Sequence, residues 1–287
     1  MVQVNVMSRI SRRHLLRGGG ALAATKLLTP ASAGFILGKA GGGGGYHALA
    51  VHFDGSTSLL CNSLSCTDSR YVLYVVWTKL PLPLSSNRGS TLLCSDPDTE
   101  VNNLFNISVN NSGNSLIVFE TGAIPFSSGN TNYVAVQNPW NEGWLNLIYV
   151  IDSLHAAGVK PKAVYINDVL VPDTNTDTSG PYVAQFNGLK TTIGTDNFDL
   201  VLGDIADMQL YLLSNDPFVA GALPEATRRL FIGANGKPVN PATAMATLGT
   251  PVLIFSGDAI TFPTNQGTGG AFSLTGTLTN ATTSPSD

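Results

Sequence analysis

Three carboxylates stand at alternating positions in Asp96-Pro-Asp98-Thr-Glu100. Alternation of this kind sets acids on one face of a strand, where a glycosidase keeps its nucleophile and general acid. Pro97 and the turn-forming residues around it place the run in a loop instead, and nothing nearby supplies the apolar pocket that raises one carboxyl. A different chemistry suits loop acids. Asp96, Asp98 and Glu100 are hard oxygen donors of the kind calcium takes, with Asp173, Asp177 and Asp196 as further loop acids. The chain has no EF-hand-type ligand loop, so calcium at these residues is one expectation and solvated loop acids the other.

Aromatic side chains offer a second chemistry, the stacking of an indole or phenol on a sugar ring with amides nearby to bond its hydroxyls. Trp140 lies in the polar run Gln137-Asn-Pro-Trp-Asn-Glu142, so its indole is expected at the surface, flanked by Asn138 and Asn141 and preceded by Tyr133. These four residues form the candidate saccharide platform; the plain alternative is a lid over the core edge. Trp77 and Trp144 fall inside strand-like runs and read as core. The four histidines, His14, His47, His52 and His155, come without a Gly-x-Ser-x-Gly elbow, so nucleophilic serine chemistry has no support. Cys61, Cys66 and Cys94 form no Cys-x-x-Cys pair and hence no zinc site. Cys61 and Cys66 could bridge if the loop between them folds back, or all three could be buried or half-buried thiols.

The elements that must hold such residues are strands. The run Trp144–Ile151 is aromatic and β-branched, and 162–167 alternates before the turn Asn167-Asp168 and the resumption at Val169. Short extended runs recur at 48–53, 57–61, 71–79, 91–95, 103–109, 115–121, 132–137, 182–186, 190–194 and 205–213, separated by Asn, Ser, Gly and Pro. Helix is expected only within Pro217–Phe231. Charged residues make up 12% of the 287, glycines number 30, and the net charge is −4. An all-β domain with many turns accounts for this composition, and the missing basic face argues against nucleic acid as partner. No apolar run is long enough for a transmembrane helix.

Several of these strands resemble, in order, those of the laminin-G-like or concanavalin A-like jelly rolls. Val51-His-Phe-Asp-Gly-Ser-Thr-Ser58 resembles the opening strand of that family, Tyr71–Lys79 its Trp-x-Lys strand, and Gly143–Val171 its central hairpin. Thr192-Ile-Gly194 and Gly203–Tyr211 resemble two later strands. The resemblance spans residues 48–235 and implies an antiparallel two-sheet jelly-roll sandwich. Glucanases of this superfamily carry Glu-x-Asp-x-x-Glu on one strand, a spacing this chain lacks, and its calcium-binding members hold the ion at the rim. The implied protein is therefore a non-catalytic member.

At the N-terminus, Ser11-Arg-Arg-His-Leu-Leu-Arg17 followed by Ala31-Ser-Ala33 is similar to a twin-arginine export signal, with a flexible basic arm as the alternative. Residues 34–46 form a glycine-rich linker, 47–235 the jelly roll, 236–280 a C-terminal β extension with strands around 250–258 and 269–278, and 281–287 a disordered tail. The extension resembles endings of phage-encoded proteins. Two functions follow: a secreted or periplasmic, non-catalytic domain binding glycan or cell-surface polysaccharide, or a phage virion protein whose jelly roll meets capsid or tail proteins.

Overall fold

The computed structural model describes residues 45–80, 90–95, 105–111, 115–121, 131–135, 143–153, 162–171, 185–195 and 201–287. In chain order the strands are β1 (Val51–Asp54), β2 (Ser58–Cys61), β3 (Tyr71–Lys79), β4 (Ser90–Ser95), β5 (Phe105–Asn111), β6 (Ser115–Thr121), β7 (Thr131–Ala135), β8 (Leu145–Asp152), β9 (Lys162–Ile166), β10 (Val169–Leu170), β11 (Thr191–Ile193) and β12 (Leu202–Leu213). Two short helices follow, α1 (Glu225–Arg228) and α2 (Pro241–Leu248), then β13 (Leu253–Phe255), β14 (Ser273–Thr275) and β15 (Thr279–Asn280). Every pairing is antiparallel. Sheet A runs β10-β9-β8-β3-β12-β1-β15, with β13 also on β12, and sheet B runs β14-β2-β11-β4-β5-β6-β7. This is the jelly-roll sandwich that the strand pattern implies.

The flat apolar period of β3 and β8 has a simple cause. Val72, Tyr74 and Val76 turn into the core between the sheets, whereas Leu73, Val75 and Trp77 join a second apolar cluster with Ile148, Val150, Leu223, Phe231, Ile232 and Ala244. Sheet A is thus buried on both faces, and a strand covered on both sides needs no polar alternate residues. The cover is the segment around α1 and α2. Helix α1 is a single turn, shorter than the expected helix over 217–231, because Pro224 starts it and no residue within it is buried. Helix α2 was not anticipated: the prolines read as a break, yet Asn240 caps Ala242 N and Pro241 sits in the first turn, where its missing N–H costs nothing.

The C-terminal extension completes the sandwich. Residues 253–255 pair with β12, 273–275 with β2 and 279–280 with β1. The expected disorder of 281–287 is not what these residues show. Ser284 is buried, Asp287 accepts a bond from Ser284 N, and Ala48 N donates to Ser286 Oγ. A polar, serine-rich tail stays ordered here because its hydroxyls satisfy backbone and side-chain partners. The strand expected over 182–186 does not extend to 185–186, and Phe186 is instead a buried anchor whose N–H, with that of Asn187, donates to Asp68 Oδ1. Cys61 and Cys94 are buried and Cys66 is half-buried, and no disulfide joins Cys61 to Cys66.

Candidate binding cleft

Pleating decides which side chains leave the core of sheet A near its β15 edge. Val51, Phe53 and Ile205 point inward, so His52 and Asp204 point out. Register then aligns Thr279 on β15, His52 on β1, Asp204 on β12 and Lys79 on β3 as successive cross-strand neighbours. His52 Nδ1 lies 2.7 Å from Asp204 Oδ1, so the carboxylate is committed to the imidazole rather than to Lys79. Lys79 Nζ donates instead to Thr283 Oγ1 at 3.2 Å, and Trp144 Nε1 donates to the same oxygen at 3.2 Å.

This row lines an open cleft of about 610 Å³. Leu80, Leu202 and Ala281 supply apolar lining, and Asn280 and Thr282 add an amide and a hydroxyl beside Thr279. Gly203 makes the floor possible. Its φ of +146° disfavours a side chain, and a Cβ there would stand 2.7 Å from Lys79 O and 2.8 Å from Leu80 Cδ2. Apolar walls, hydroxyls, an amide, one paired carboxylate and the Lys79 side chain suit the binding of a polyol. Acid–base hydrolysis needs a second carboxyl facing the first.

A buried polar cluster lies on the other side of β1. Two residues, Asp207 and Met208, oppose one residue of β3 where the β12 register shifts between Ala206 and Gln209, a bulge in which Asp207 takes φ +44°. Its carboxylate accepts from Ser256 Oγ at 2.7 Å and from Tyr46 Oη at 2.9 Å to each oxygen. Burial pushes the Asp207 carboxyl up to about 6, against the lowering effect of those two bonds. Burial and the neighbouring aspartate also push the Tyr46 phenol well up. Asp207 and Ser256 are buried and Tyr46 is half-buried, and the cluster anchors the chain entering β1.

The hairpin β9–β10 turns at Asn167 and Asp168, both with positive φ, and Asp168 Oδ1 and Oδ2 accept from Arg228 Nε and Arg229 Nη2, each at 2.6 Å. Arg228 also lies over the Tyr165 ring at 4.6 Å. These contacts fasten α1 to sheet A.

Of the residues expected to bind, Trp140, Asn138 and Asn141 lie outside the described residues, as do Asp96, Asp98 and Glu100 and the loop acids Asp173, Asp177 and Asp196. Tyr133 is placed on β7, the last strand of sheet B, with its side chain outside the described set. Among the described residues, no three histidine, cysteine or acidic side chains converge as a metal site. The cleft residues were missed because Lys79, His52, Asp204 and Thr279 are brought together only by register across four strands. The hint is a polar residue in each of three largely apolar strands: His52 in β1, Lys79 at the end of β3 and Asp204 near the start of β12.

No protein-family model matches the chain, and no curated protein matches it in sequence. Solved structures do resemble it. A protein from Bacteroides ovatus described as carbohydrate binding is 10% identical, with a TM-score of 0.50 over 83% of this chain; the match spans 61% of its own length. A heptameric SAP-like pentraxin from Limulus polyphemus is 14% identical, with a TM-score of 0.42 over 57% of this chain and 76% of that one. Domain 4 of an extracellular arabinanase from Geobacillus stearothermophilus, in complex with arabinotriose, is 18% identical, with a TM-score of 0.38 over 57% of this chain and 70% of that one. With the Bacteroides ovatus protein the chain shares the fold, a jelly-roll sandwich. Among the described residues, no helix is long and apolar enough to cross a membrane.

Proposed function

We propose that the chain is a non-catalytic binding module that holds a saccharide in the cleft on sheet A. The observation that carries this reading is the row Thr279, His52, Asp204 and Lys79 beside Asn280 and Thr282, hydrogen-bonding groups spaced around apolar lining. Sugars present that mixture of hydroxyls and C–H faces. The Bacteroides ovatus protein of the same fold is described as carbohydrate binding, which makes saccharide the first ligand class to test.

A glycan array, probed with and without calcium, tests the reading, and a blank array in both conditions ends it. Trp140, with Tyr133, Asn138 and Asn141, stands as a second candidate platform, and calcium at Asp96, Asp98 and Glu100 would appear as binding abolished by chelation. Alanine at Trp140 separates the two sites: unchanged affinity assigns binding to the cleft alone. The module is further proposed to act outside the cytoplasm after loss of residues 1–33, which the intact mass of the natural protein reads directly.

A further inference from the structure

Two aspartates neutralise three arginines among the described residues: Asp152 holds Arg70, and Asp168 holds Arg228 and Arg229. Lys79 differs. It lines the cleft, its cross-strand neighbour Asp204 is bonded to His52, and its ammonium group donates to the neutral hydroxyl of Thr283. Trp144, outside the cleft lining, donates its indole N–H to that same oxygen. A full positive charge and a strong neutral donor thus converge on one oxygen atom at a cleft of 610 Å³.

A hydroxyl oxygen can accept both bonds with its two lone pairs, but it offers no charge to answer the ammonium. A carboxylate does, and charge-assisted bonds are about twice as strong as neutral ones. Thr283 can yield with little rearrangement. The tail is fastened on either side of it, by Ala281 N to Ala50 O and by Ala48 N to Ser286 Oγ, so a side-chain rotation frees both donors.

We propose that the cleft takes an acidic saccharide, a uronic-acid residue whose carboxylate replaces the Thr283 hydroxyl on Lys79 Nζ and Trp144 Nε1. The proposal rests on the saccharide reading above and adds the charge of the ligand. Asn280, Thr279 and Thr282 remain for ring hydroxyls. Asp204 repels the anion less for being held by His52.

Calorimetric titration with galacturonate and glucuronate oligomers, and with galactose and glucose oligomers of the same linkages, tests this on the full chain. The uronates are expected to bind about tenfold more tightly, as one charge-assisted hydrogen bond would give, and to weaken with added salt. Lys79→Met, which keeps the aliphatic stem at the end of β3, should erase the difference between acidic and neutral oligomers. Thr283→Val should tighten uronate binding. Equal affinity for acidic and neutral oligomers overturns the charge assignment and leaves the saccharide reading standing; binding of neither overturns both. A uronate preference that survives Lys79→Met in protein with an unchanged melting transition, or that Thr283→Val leaves unaltered, also overturns the proposal.

Discussion

Asp207 shows how one residue sets a pH dependence. Its carboxyl has an ordinary value of 3.8 and stands at about 6 in the fold because burial disfavours the charge. Below 3.8 both folded and unfolded chains hold the proton. Between 3.8 and 6 only the folded chain does, so stability falls as pH rises through that window and the loss is complete above 6. The full difference is about 3 kcal/mol, of which roughly half falls between pH 5 and 8. Denaturant unfolding at those two pH values should therefore show the protein less stable at the higher one. Asp207→Asn, which cannot ionise, should lose about 1–2 kcal/mol of that dependence. Parallel pH profiles for the two proteins would contradict the assignment. Gly203 supports a steric prediction at the same scale. Gly203→Ala would press a methyl group against Lys79 O and Leu80, so a loss of about 2–4 kcal/mol in unfolding free energy is expected, together with weaker ligand binding. An unshifted melting transition would mean that β3 can move away.

Among the elements, the β9–β10 hairpin sets two effects against each other. Asp168 adopts φ +68°, a conformation glycine takes at no steric cost, and Asn-Gly is the preferred turn pair. Asp168→Gly would relieve about 1 kcal/mol of backbone strain. It would also leave Arg228 half-buried without its carboxylate and free α1 from the sheet, at a cost of about 2–3 kcal/mol. The ion pairs win, and net destabilisation of about 1–2 kcal/mol is expected from urea unfolding; a stabilised variant would show that the arginines find other partners. The same hairpin was legible in the sequence because its turn chemistry is local. So were β3, β6 and β8, whose runs are long, apolar and bounded by turn residues. Helix α2 was hidden by Pro241, since a proline that breaks a strand and one that opens a helix look alike until the Asn240 cap is weighed. The cleft was hidden for another reason: His52 and Asp204 are 152 positions apart, and only the pairing of β1 with β12 makes them neighbours.

For the whole molecule, the question is whether the extension after Gly249 is an appendage or part of the sandwich. Strand β12 offers one edge to two partners: β1 covers residues 202–205, and β13 covers 208–210. Asp207 falls in the gap between them, where Tyr46 from before β1 and Ser256 from after β13 meet its carboxylate. The start of the described chain and its C-terminal extension are thus joined through one buried acid. Leu253, Phe255 and Phe262 are fully buried in the core between the sheets, and Phe262 packs against both Phe53 and Phe255. Each such side chain is worth about 2–5 kcal/mol when removed, whereas a whole domain is stable by only about 5–15 kcal/mol. Deleting 250–287 would remove all three, strip a strand from each of two edges, and leave Asp207 buried without Ser256. The truncated chain is expected to be insoluble, or soluble without a cooperative thermal transition. Recovery of a cooperative, monomeric fold from residues 34–249 would show that sheet A closes without β13 and β15, and would detach the tail-built wall of the cleft from the domain that carries it.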